Sequence, residues 1–71
     1  MKATQIVRKL KNSCSLACVA QARGQQDRAS HYRLAVGYYA AALAAHGSER
    51  ASDINMADQY KWVGDSKKDL E

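Results

Sequence analysis

Two cysteines and two histidines are the side chains of this 71-residue sequence best suited to metal or nucleophilic chemistry. Cys14, Cys18 and His31 match the opening of a Cys2His2 zinc spacing, with three residues between the thiols and twelve before the imidazole. His46 lies too far on to complete it. In a helical hairpin turning near Gln25 and Gln26, His31 comes level with Ala20 and His46 with Gln5, so four ligands cannot converge within one chain. No metal and no cofactor is expected. A Cys14–Cys18 disulfide is disfavoured too, because positions one helical turn apart hold their Cβ atoms ~5–6 Å apart and a disulfide prefers ~3.8 Å. The spacing predicts two reduced thiols buried as small apolar groups. A catalytic cysteine needs a base beside it and a cleft around it, and the sequence offers neither, so no enzyme is expected.

Charge points to a different kind of chemistry. The formal net charge of +4 hides an asymmetry. Lys2, Arg8, Lys9, Lys11, Arg23, Arg28 and Arg33 face Asp27 alone in residues 1–34, whereas acids outnumber bases in residues 35–71. A basic half suits a polyanion or an acidic protein surface. Arg8, Lys9, Arg28 and Arg33 are the candidate phosphate contacts. The five aromatics, Tyr32, Tyr38, Tyr39, Tyr60 and Trp62, do not interleave with that basic set, so stacking on single strands is not expected. Each has a polar tip that suits a half-wet interface with a protein.

These residues must be positioned by helices. The chain has no Pro and no Phe, an Ala-rich middle and few β-branched runs, which favours an all-α fold. A first helix is expected from a Thr4 N-cap to Arg23, closed by Gly24, with Ala3, Ile6, Val7, Leu10, Cys14, Ala17, Cys18 and Gln21 facing the core. Leu16 and Val19 lie on its other side. A second helix, capped by Asp27, should reach His46 before Gly47, its main stripe being Tyr32, Ala35, Val36, Tyr39, Ala42 and Leu43. Ser52 should cap a third, shorter helix over about 53–63 that ends at Gly64. Met56, Tyr60 and Val63 share one side of it, and Trp62 either folds back or stands exposed.

The second helix carries no charge from Ala35 to Ala45. Leu34, Tyr38, Ala41 and Ala45 form a second apolar strip there, and Gly37, Ala41 and Ala45 make a smooth track at four-residue spacing. A chain this short buries only ~60% of its unfolded surface and cannot wrap a helix on every side. Leu34, Gly37, Tyr38, Ala41 and Ala45 are therefore the expected dimer or partner interface.

Two motifs echo in the turn region. Ala20 stands four before Gly24, as in a helix-turn-helix, but Ser30 and Arg33 occupy later positions where that motif needs apolar residues. Gly24 followed by Arg28-Ala29-Ser30, Tyr32 and Ala35 resembles the helical hairpin of small bacterial regulators that restrain AraC-type activators. Arg33 stands where those proteins place Trp, and their closing Trp-to-Cys pattern is missing. A tetratricopeptide hairpin is echoed by the same residues, with no second repeat. Membership of neither family is inferred.

No stretch reaches the ~20 apolar residues of a membrane span. Residues 2–22 imitate a secretory signal with a lipoprotein-like Cys18, but Ser15 interrupts the apolar run, so a cytoplasmic protein is expected. The sequence thus predicts one helical domain over 1–64 and a polar tail over 65–71. Two long antiparallel helices form a hairpin, a shorter third helix joins them, and the whole forms a homodimeric assembly. The expected role is a non-enzymatic interaction protein, accessory or regulatory in a bacterium, phage or plasmid, that modulates a larger macromolecule through an unidentified protein partner. The alternative is a nucleic-acid-binding module using the basic half.

Overall fold

A computed structural model describes residues 2–44 and 51–66 of the chain, with side chains from Asp53 onward in the second stretch. It is all-helical: α1 spans Ala3–Ala22, α2 Gln26–Ala44 and α3 Ala51–Ser66, and no strand occurs among the described residues.

Lys2, not Thr4, holds the N-cap position of α1, in an extended conformation (φ −74°, ψ 149°). The reason lies three residues on. Gln5 Oε1 accepts the Lys2 backbone N–H at 3.2 Å, which is the return half of a capping box and needs no hydroxyl at the cap itself. At the other end the Gln25 N–H bonds the Ala20 carbonyl (2.9 Å) and the Gly24 N–H bonds the Gln21 carbonyl (3.0 Å). This Schellman closure needs a left-handed residue, and Gly24 supplies it at φ +76°.

The α2 ladder begins with the Ala29 N–H on the Gln25 carbonyl (3.0 Å), so Gln25 takes the cap position. Asp27 lies inside the first turn, where its charge still meets the positive end of the helix dipole. The expected stop at His46 and Gly47 lies outside the described residues, as does Ala45. Ser52 is already within α3, and Gly64 does not end that helix, which runs two residues further to Ser66. Gly64 is there for space. A Cβ built on it would lie 2.9 Å from Cε1 of Tyr32, so the absent side chain is what lets α3 sit against the ring.

Helix α2 is the central element and packs along both neighbours. Ile6 of α1 clusters with Ala35, Tyr39 and Ala42 and with Ala57 of α3, while Ala17 and Ala20 cluster with Ala29 and Tyr32. Early α1 thus meets late α2 and late α1 meets early α2. Among the described residues seven of the nine buried hydrophobic side chains are not aromatic, six of them Ala, and the two tyrosines supply the bulk. Each ring withdraws on the order of 200 Å² from water, worth ~5 kcal/mol before ordering costs.

The buried edge of α1 is turned from the expected stripe. Ile6, Ser13, Ala17 and Ala20 are buried and Leu16 packs against the core, whereas Cys14 is half-buried and Ala3, Cys18 and Gln21 are exposed. Small size explains the choice, since Ser13, Ala17 and Ala20 admit the neighbouring helix more closely than a cysteine row would. Cys14 and Cys18 are both free thiols, and Cys18 is not the buried group expected.

Ser13 is fully buried, and its Oγ has no hydrogen-bond partner among the described residues. A buried hydroxyl left unpaired costs ~1–3 kcal/mol, and Ala is the better helix former. Ser13→Ala should therefore raise stability by about 1–2 kcal/mol in a denaturant titration; an unchanged midpoint would mean that the hydroxyl is satisfied.

Candidate functional site

Two polar assemblies lock α3 onto the rest and fix the surfaces left for function. Tyr39 donates its hydroxyl to Asp58 Oδ1, and Lys9 Nζ reaches the same carboxylate from α1 at 3.1 and 3.3 Å. Tyr32 donates to Asp65 Oδ1 at 2.6 Å, and Lys61 Nζ reaches Asp65 Oδ2 at 2.8 Å. The two tyrosines are seven residues apart on α2 and the two aspartates seven apart on α3, so one device recurs after two turns. A small residue, Ala57 or Gly64, precedes each aspartate and gives way to the ring.

Arg28 completes the second assembly. It is 7% exposed, with Nε donating to the Gly64 carbonyl (3.0 Å), Nη1 to Gln25 Oε1 (2.8 Å) and Nη2 to the Tyr32 hydroxyl (3.0 Å). The Gly64 carbonyl lies in the last turn of α3, where helical partners run out, so the guanidinium caps that helix. Burial and the Asp65 hydrogen bond raise the Tyr32 hydroxyl above its ordinary pKa. Burial and Asp58 push Tyr39 up further. Burial alone would raise Asp65 as well, but the hydrogen bonds from Lys61 and Tyr32 and the charges of Lys61 and Arg28 outweigh it and hold the carboxyl below its ordinary value.

On the outer side of α2 a groove of about 350 Å³ is lined by Arg33, Leu34, Gly37, Tyr38 and Ala41 and by Asp53 of α3. Leu34 is 46% exposed, and no atom lies within 4 Å of the place a Gly37 Cβ would take. The Tyr38 wall is held by a stacked Tyr60 (centroids 5.6 Å, planes 13° apart), with His31 tilted against Tyr60 at 6.2 Å. His31 is anchored in turn by donation from Nδ1 to the Asp27 carbonyl (2.7 Å). Four of the five expected interface residues, Leu34, Gly37, Tyr38 and Ala41, thus share one groove, and Ala45 lies outside the described residues.

No known protein family, curated protein or solved structure matches this chain. Its surfaces carry the functional reading by themselves.

The four candidate phosphate contacts are not equally available. Arg8 and Arg33 are exposed on different helices, Lys9 is committed to Asp58, and Arg28 is buried. Among the described residues no three His, Cys, Asp or Glu side chains group as metal ligands. No helix among them is long and apolar enough to cross a membrane. Trp62 stands 69% exposed on α3, away from the Met56, Tyr60 and Val63 side, which is half-buried. The tyrosine–aspartate pairs were absent from the sequence expectations, although the matched seven-residue intervals and the small residue before each Asp are visible in the sequence once α3 is laid antiparallel on α2.

Proposed function

We propose that this chain is a small non-enzymatic interaction protein that works by presenting the outer groove of α2, as a homodimeric helical assembly or to a larger protein that it modulates. The supporting observation is the open space over Gly37 between Leu34 and the buttressed Tyr38, on a helix whose inner side is already filled by α1 and α3. The antiparallel hairpin of α1 and α2, with α3 laid on it, serves as the frame. Groups that could move protons, Tyr32 with Asp65 and Tyr39 with Asp58, are spent on holding helices together. A rigid aromatic wall beside a small-residue floor is the form that a helix or loop of another molecule fits.

Ala41→Glu tests this reading. In a closed helix contact the carboxylate is desolvated without a partner, at a cost of several kcal/mol, so the assembly should dissociate in sedimentation. The monomer fold should stay within about 0.5 kcal/mol, since Ala41 is half-buried at the groove and Glu is a good helix former. Unaltered association would remove the groove from the interface. A second reading, nucleic-acid binding, is favoured by one observation of its own, the complete lack of acidic residues in α1.

A further inference from the structure

We propose that the outer face of α1 is a sequence-independent docking surface for the phosphate backbone of a nucleic-acid duplex. It deepens the second reading above and is independent of the groove, so failure of one leaves the other standing. The helix is 20 residues long, or about 30 Å, and holds Arg8, Lys9 and Lys11 with no acid, while Lys2 and Arg23 sit at its two ends.

Structure sorts these cations. Lys9 points along the α3 side and is consumed by Asp58, which also takes the Tyr39 hydroxyl. Arg28 is internal. Lys2, Arg8, Lys11 and Arg23 remain exposed. Arg8 and Lys11 are three apart and therefore neighbours on the helix surface. Exposed Thr4, Asn12 and Ser15 lie around and beyond them, short polar groups able to hydrogen-bond phosphate oxygens.

The chemistry of that face selects the partner. Val19, 48% exposed, is its one large apolar residue and no aromatic stands on α1, so the buried anchors of a protein interface and the stacking platforms of a single-strand binder are both missing. A polar, cationic, flat helix face matches a duplex backbone, which is polar and uniformly charged. Three of the four described acids, Asp53, Asp58 and Asp65, sit on α3 and none on α1, so among the described residues negative charge is kept off the α1 face.

The test is fluorescence anisotropy with a labelled mixed-sequence DNA duplex across a salt series. The 71-residue chain should bind at low salt, and log K should fall with log salt at a slope of about −3 to −4 if all four cations neutralise phosphates. Arg8→Gln with Lys11→Gln should bind at least about tenfold more weakly, with the slope reduced by about 2. Circular dichroism confirms that the fold is kept. Absence of duplex binding at low salt, an unchanged slope in the double variant, or equal binding with the same slope to poly-glutamate would each overturn the assignment.

Discussion

Gly64→Val should lower the stability of the fold by about 3 kcal/mol. The Tyr32 ring cannot step aside for the new side chain. It is fully buried, its hydroxyl is held between Asp65 and Arg28, and Cε1 would lie 2.9 Å from the Cβ alone. Overpacking of this sort costs ~1–3 kcal/mol, and valine adds two methyl groups beyond the Cβ as well as the stiffness of a branched side chain in a helix. Gly64→Ala sets two effects against each other. Helix propensity gains ~1 kcal/mol, while the clash and the pull on the Arg28–Gly64 bond cost more, for a net loss of about 1 kcal/mol. In a Tyr32→Ala background the obstacle is gone, so the same Gly64→Ala change should reverse sign and stabilise by about 1 kcal/mol, a coupling that urea titrations of the four variants measure directly. Stabilisation by Gly64→Ala in the presence of Tyr32 would show that the ring yields and that Gly64 is not a close-approach position.

Gly64 also shows where reading the chain by local signals stops. A glycine after an apolar stretch looks the same whether it ends a helix or makes room for a neighbour, and only the helix lying opposite distinguishes them. Gly24 was legible because its role is local: the left-handed turn depends on residues immediately around it. The main stripe of α2 was legible for a related reason, since Tyr32, Ala35, Tyr39 and Ala42 recur at helical spacing and are buried. On α1 the buried edge departs from the hydropathic one, because hydropathy ranks Cys14 and Cys18 above Ser13, and close packing against α2 rewards smallness instead.

Charged residues were the least legible. Seen in sequence, Arg28 and Lys9 are two more cations in a basic half. In the fold each is tied to a tyrosine–aspartate pair, Arg28 through the Tyr32 hydroxyl and the Gly64 carbonyl and Lys9 through Asp58, and their α3 partners lie far along the chain. Leu34, Gly37, Tyr38 and Ala41 were found together because they need only α2 to align them, whereas their wall depends on Tyr60, which α3 brings from more than twenty residues away. Local periodicity places side chains on a face. Long-range pairing decides which of them remain available.

Stability should be greatest between about pH 4 and pH 10 and should fall away on both sides, with the steeper loss in alkali. Tyr32 and Tyr39 have native pKa values raised above the ordinary 10.0, so the folded chain keeps two protons that the unfolded chain gives up near pH 10. Their contribution is therefore fully present below pH 10 and is lost as pH rises beyond it. The cause is specific: a phenolate at either position would be desolvated and would face Asp65 or Asp58, the carboxylate that now accepts its hydrogen bond. Asp65 behaves in the opposite sense. Its native value lies below the ordinary 3.8, so its contribution is present above that pH and is lost as the pH falls through the lower native value, when the carboxylate can no longer hold Lys61 and Tyr32. Thermal melts followed by helical circular dichroism should map both edges, and phenolate absorbance should rise together with loss of helix on the alkaline side. Tyr39→Phe lowers stability at neutral pH by about 1.5–3 kcal/mol, the worth of a hydrogen bond to a charged group, but it should flatten the alkaline edge because one of the two retained protons is gone. Difference titration of wild type against Tyr39→Phe isolates that proton. If the Tyr39 phenolate formed near pH 10 with the helices intact, the hydroxyl would not be the group that fastens α2 to Asp58, and α3 would owe its position to the Tyr32, Arg28 and Gly64 contacts alone.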